Sequence, residues 1–189
     1  MRGLLLGTSV SWLLFAALPY TANAAGSAQP AKNCTHADYR AWDFWVGKWR
    51  VHSISGQHQG SNVITEQEQG CLLVENWTSV QGGTGQSYNY YHAGEQQWHQ
   101  LWVSQGAIID YAGNLTANGA MQLEGHITYQ ADGRQAKFMG RWTPEKDGTV
   151  LQELSEWNAE LNQWQAWFVG RYTPADEQPE APIAPIVND

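Results

Sequence analysis

Apolar and polar residues alternate along most of this chain, in short runs broken by turn residues. That period of two is the mark of half-buried β-strands. Ten such runs stand out, at 48–54, 61–68, 71–80, 86–92, 97–103, 107–113, 120–129, 135–143, 149–158 and 163–172. The breaks include Ser55-Gly56, Gly82-Gly83, Ala93-Gly94, Asn118-Gly119, Asp132-Gly133 and Asp147-Gly148. Asn-Gly and Asp-Gly between alternating runs are strong hairpin signals. Connections this short leave no room for crossovers, so sequence neighbours pair antiparallel. A meander of this length is expected to close on itself, because closure removes the unpaired edges. The fold expected is all-β, a single antiparallel up-and-down barrel of about ten strands. One segment departs from the period. In His36–Phe44 the apolar residues Tyr39, Trp42 and Phe44 are interleaved with Asp38 and Arg40, which predicts a short helix ahead of the first strand.

The ends of the chain read differently. Arg2 is followed by an apolar stretch from Leu4 to Leu18 and then by Ala22-Asn23-Ala24, a small-x-small cleavage pattern. The apolar stretch is about 15 residues, short of the roughly 20 that a membrane helix needs. Residues 1–24 are therefore expected to be a signal peptide, and the protein to be periplasmic or secreted. Residues 25–33 form a small, polar lead-in, 34–172 the barrel domain, and 173–189 a loose tail rich in Pro and acidic residues. Both cysteines, Cys34 and Cys71, lie beyond the cleavage point. Export favours a disulfide between them, which would restrict the unfolded chain by about 4 kcal/mol in the entropic account. Two buried free thiols, or a metal pair with His36, are the alternatives.

The 189 residues suit one domain. Ten basic residues against 18 acidic ones give a formal charge of −8, and the basic residues are scattered. Nucleic acid and anionic membrane surfaces select for basic stripes, so neither is expected as a partner. An outer-membrane barrel would need an outward apolar band on every strand. Here Gln, Glu, Lys and His stand opposite the apolar positions, so no membrane insertion is expected after signal cleavage.

Alternation sorts candidate chemistry onto faces. Leu73, Glu75 and Trp77 share one face of their run; Ser87, Asn89 and Tyr91 share another, and Trp98, Gln100 and Trp102 a third. Neighbouring strands would bring Trp77, Asn89 and Gln100 together, with Arg141 and Gln152 as further candidates. Rings interrupted by single amides and one carboxylate suit a pocket for a small polar or aromatic-ring ligand. The candidate ligand-binding set is Glu75, Trp77, Asn89, Tyr91, Trp98, Gln100, Trp102, Arg141 and Gln152. The mouth is expected near the 81–85 and 104–106 loops. Two plainer readings compete: a barrel filled by its own aromatic side chains, or the same residues on the outer face. A hydrolase or isomerase with Glu75 as general base is a further alternative, with Glu153 or Asp110 as its partner. The six histidines, at 36, 52, 58, 92, 99 and 126, show no metal-ligand spacing. No metal or cofactor is expected.

Two resemblances bear on the fold. Gly47-Lys48-Trp49, at the entry to the first strand, resembles the opening motif of lipocalins and related calycin barrels. That resemblance implies a Trp49 that plugs the closed end and an Arg from the last strand, Arg171, packed over it. A broader one covers almost the whole chain beyond the signal peptide. The stretches Asp43–Trp49, Gly70–Trp77, Trp98–Val103, Arg141–Pro144 and Gly170–Thr173 resemble a family of secreted bacterial proteins known as a domain of unknown function. It implies a calycin-like barrel, leaves activity open, and places the two cysteines where that family has its pair.

Overall fold

The computed structural model describes residues 34–175. The expected signal peptide, the lead-in and residues 176–189 of the tail lie outside the described residues. Ten strands follow in order: β1 (Gly47–Ser53), β2 (His58–Gln67), β3 (Leu72–Ser79), β4 (Thr84–His92), β5 (Gln97–Ser104), β6 (Ala107–Leu115), β7 (Met121–Tyr129), β8 (Gln135–Pro144), β9 (Val150–Asn158) and β10 (Gln163–Pro174). Each pairs antiparallel with its neighbours in sequence, and β10 returns to β1, so the sheet is a closed up-and-down barrel. The hairpin chemistry is where the sequence placed it. At the β8–β9 turn Gly148 has a φ of 82°, and Asp147 Oδ1 accepts from the Thr149 backbone N–H at 3.0 Å and from its hydroxyl at 2.7 Å. These bonds hold the Asp147 carboxyl below its ordinary range.

The helical segment ahead of β1 is two 3-10 turns, Ala37–Arg40 and Asp43–Trp45. They are tied to the barrel by a disulfide from Cys34 to Cys71, at the start of β3. Arg40 adds a bidentate bond to Asp43, with both distances under 2.8 Å, and a bond to Glu66 at the end of β2. Trp98 Nε1 donates to the Asp38 carbonyl at 2.9 Å. The turns thus close the end of the barrel where β2 leads into β3.

That closed end is solid. Trp42 and Trp45 stack with centroids 5.1 Å apart. Trp98 meets Trp42 edge-on at 5.5 Å, and Trp142 does so at 4.8 Å. All four are at most 2% exposed. Trp49 completes the plug: its Nε1 donates to the Trp45 carbonyl at 2.9 Å, and its ring lies edge-on to Tyr172 at 6.2 Å. Gly47 has a φ of 149°, which an L side chain rarely adopts, and its missing Cβ faces the Trp49 ring.

The expected Arg171–Trp49 packing does not occur. Gly170 and Tyr172 are the buried positions of β10, so alternation turns Arg171 outward, where its guanidinium donates to Thr149 Oγ1 at 3.1 Å. Tyr172 takes the place over the Trp. The last strand also runs to Pro174, two residues beyond the expected end of the barrel domain. Pro174 pairs with Trp49 in register, and the Ala175 N–H donates to the Lys48 carbonyl at 2.9 Å.

Candidate functional site

Above the plug the barrel is hollow. A cavity of about 200 Å³ lies within it, toward the end that carries the β3–β4 and β5–β6 loops. Its lining follows from strand direction. Glu75, Gln100, Tyr111, Gln152 and Tyr172 form a polar floor next to the plug; Trp77, Trp102, Ile109, Leu154, Trp167 and Phe168 form an apolar wall above it. Along β3, β5, β6 and β9 the floor and wall residues are two positions apart, one inward-facing residue following the next.

Two glycines seat the wall. A Cβ on Gly85 would come within 2.2 Å of the Trp102 ring, and one on Gly60 within 2.7 Å of Trp77. The indoles can occupy these positions only because β4 and β2 carry no side chain there. On β10 the register shifts between Ala166 and Phe168. This bulge turns two consecutive residues, Trp167 and Phe168, toward the cavity, as strict alternation never does. Trp167 is 46% exposed at the rim. Its Nε1 donates to the Tyr129 hydroxyl at 3.1 Å. Tyr129 in turn donates to Glu156, which also accepts from Arg134 at 2.7 Å.

The floor is one hydrogen-bonded chain. Glu75 Oε1 accepts from Asn62 Nδ2, and Oε2 from Ser87 Oγ, both at 2.6 Å. Asn89 Nδ2 donates to Ser87 Oγ at 2.9 Å and to the Leu73 carbonyl at 3.0 Å. Gln100 Nε2 donates to Asn89 Oδ1, and the Tyr111 hydroxyl donates to Gln100 Oε1. On the other side Asn62 Nδ2 reaches the Tyr172 oxygen at 3.2 Å, and that hydroxyl donates to Gln152 Oε1 at 2.7 Å. One buried acceptor, Asn62 Oδ1, has no partner.

Glu75 is the electrostatic centre of this chain. It is 4% exposed, and no basic side chain among the described residues pairs with it. Burial pushes its carboxyl up to about 7, although the bonds from Ser87 and Asn62 pull it down. Burial also raises the Tyr111 and Tyr172 hydroxyls well above their ordinary range, with the Glu75 charge adding to it, so both stay protonated.

Of the residues proposed from sequence, Glu75, Trp77, Gln100, Trp102 and Gln152 line this cavity, and Asn89 stands behind them in the bonded chain. Three are elsewhere. Tyr91 and Trp98 share the inward face but belong to the closed end, where Tyr91 packs edge-on against Tyr39 at 5.0 Å and Trp98 against Trp42. Arg141 faces outward, because Gly140 and Trp142 are the buried positions of β8. It donates to Gln122 Oε1 and Asn118 Oδ1 on the outer surface. Asp110 and Glu153 also fall on outward positions of β6 and β9, so Glu75 has neither as a partner inside the barrel. The residues that sequence reasoning missed are Asn62, Ile109, Tyr111, Leu154, Trp167, Phe168 and Tyr172. Asn62 could have been found as the lone amide on the apolar face of its run, with Gly60 and Ile64.

Among the described residues no helix is long and apolar enough to cross a membrane, and no three potential ligand side chains cluster as a metal site. No family model and no curated protein matches the chain. What stands is a closed ten-stranded antiparallel barrel, compatible with a calycin-like fold, that is plugged by tryptophans at one end and hollow at the other.

Proposed function

We propose that this chain is an exported binding protein that holds a small molecule in the hollow half of its barrel. The observation that carries this reading is the division of the interior. Five tryptophans, at 42, 45, 49, 98 and 142, fill the closed end, while three more, at 77, 102 and 167, stand around unfilled space. A barrel that only needed a core would collapse its indoles onto one another, since close packing stabilises and voids cost. Here Gly60 and Gly85, by lacking a Cβ, leave room for two of them at the wall. An apolar wall over a few convergent polar groups is the usual make-up of a ligand site. At about 200 Å³ the cavity lies below the ~300–1,000 Å³ of drug-sized pockets, so the occupant is small.

A second reading uses the same site for catalysis, with Glu75 as general base. Its carboxyl, raised to about 7, would suit that role. Asp110 and Glu153 both face outward, so any acid partner would have to come from the substrate or from the tyrosines, and binding is the simpler use of the floor.

A fragment screen by thermal shift tests the binding reading, with wild type and Leu154→Trp side by side. Leu154 lines the wall, and an indole there would occupy the space. Fragments at about 100 times their Kd should raise the wild-type Tm by roughly 5 °C or more and leave the variant unmoved. Identical responses from the two proteins across the screen would overturn the proposal.

A further inference from the structure

The polar floor is unbalanced in a way that selects among small molecules. An ionised carboxylate offers about four lone-pair positions, and Glu75 receives one donor on each oxygen, from Asn62 and Ser87. Asn62 Oδ1 is buried within the same chain and receives none. Both floor hydroxyls spend their protons on amide oxygens, Tyr111 on Gln100 and Tyr172 on Gln152. Acceptors outnumber donors: the donors left over are the neutral amide N–H groups of Gln152 and the second one of Gln100.

The charge is unbalanced too. The groups that face Glu75 are Asn62 from β2, Ser87 from β4, and the two tyrosines Tyr111 from β6 and Tyr172 from β10. None of these carries a positive charge. A carboxylate nearly cut off from water and without a counter-ion is costly to hold ionised. The wall above it is aromatic, and the faces of Trp rings attract cations. The chain as a whole bears a formal charge of −8, which draws cations toward it.

Resting on the cavity reading above, we propose that the occupant is a small organic cation, a protonated amine with an apolar body. Its N–H groups meet the Glu75 carboxylate, and its body lies among Trp77, Trp102 and Phe168. An anion would find the floor's acceptors repelling it. A neutral alcohol brings one donor and no charge. A protonated amine brings both what the carboxylate lacks and what the rings attract. Binding also fixes Glu75 in its ionised form, so uptake of the amine near or below neutral pH releases a proton from the Glu75 carboxyl to solvent.

Isothermal titration calorimetry with three probes of one shape tests this: 2-phenylethylammonium, 2-phenylethanol and phenylacetate. At about pH 8, where the Glu75 carboxyl is mostly ionised, the ammonium should bind the wild type at least about tenfold more tightly than the alcohol, the usual scale of a charge-assisted hydrogen bond. Phenylacetate should bind weakest. Lowering the pH to about 5.5 should bring the ammonium down toward the alcohol and leave the alcohol unchanged. Glu75→Gln should remove the preference at both pH values. The comparison of probes and pH on the wild type needs no variant, so a misfolded Glu75→Gln does not blunt it. If the alcohol binds as tightly as the ammonium at both pH values, the cation proposal falls and the cavity reading stands. If none of the three binds, and fragments stabilise wild type and Leu154→Trp alike, the cavity reading falls and the proposal falls with it.

Discussion

Replacing Trp42 by Ala is expected to cost about 3–5 kcal/mol of stability, the range for emptying a large aromatic site in a packed core. The side chain has no exposed surface. It stacks on Trp45 and takes the edges of Trp98 and Trp142, all with centroids within 5.5 Å. Those three belong to the 3-10 segment, β5 and β8, so a single truncation opens a void where elements from far apart in the sequence meet. The neighbours cannot collapse inward, because Trp98 is tethered to the Asp38 carbonyl and Trp45 to Trp49. Urea unfolding followed by far-UV circular dichroism reads the change. A loss below about 1 kcal/mol, the level of an average point substitution, would mean that the plug is not what closes the barrel. The same truncation of Trp102 in the wall should cost less, since that ring is only half-buried and one side of it already faces the cavity.

The second large effect is a pH dependence carried by Glu75. Its carboxyl stands at about 7 in the folded chain, against an ordinary value of 4.5. The folded state therefore favours the protonated form, and the sign follows. The stabilisation is fully present below about pH 4.5 and is lost progressively as the pH rises through about 7. The difference of about two and a half pK units corresponds to about 3 kcal/mol. Stability of the wild type and of Glu75→Gln, measured by urea unfolding at about pH 4.5 and about pH 8, isolates this one group. Other titrating residues act equally in both proteins and cancel. The wild type should lose about 3 kcal/mol relative to the variant between the two pH values. Parallel curves would mean that Glu75 is solvated or paired in a way this structure does not have. A bound amine cation should reverse the loss at high pH, because it stabilises the very form of the carboxyl that burial penalises.

Much of this architecture was legible in the amino-acid sequence. All ten strands are where alternation puts them, with ends within three residues, because a barrel with a wet outside and a dry inside imposes the period of two on each strand. Alternation also grouped Glu75 with Trp77, Ser87 with Asn89, and Gln100 with Trp102. What it does not carry is height. Trp98 and Trp102 share a face, yet at about 3.3 Å per residue they are far enough apart along β5 for one to sit in the plug and the other in the wall. Nor does alternation alone say which face is inside. Arg141 was misassigned for that reason: Gly140 and Trp142 occupy the interior positions of β8, and a glycine gives no hydrophobic signal. Arg171 was misled in the same way by a resemblance, since Tyr172 holds the inward position over Trp49. Trp167 and Phe168 escaped notice because a bulge breaks the period at that point, and the sequence around Ala166 does not announce it. Tyr111 and Tyr172 give no polar signal in an alternating pattern, and only their hydroxyl partners reveal them as part of the floor.

The claim on which this account rests is that the barrel is hollow beyond its tryptophan plug. Crystals of the protein pressurised with xenon test it most directly, because xenon enters apolar space that is open and leaves packed cores alone. The account predicts a xenon atom bounded by Trp77, Trp102, Ile109, Leu154 and Phe168, just above Glu75, and none in Leu154→Trp. Crystals in which Trp102, Trp167 and Phe168 have closed over the floor, with no xenon inside the wild-type barrel, would contradict it.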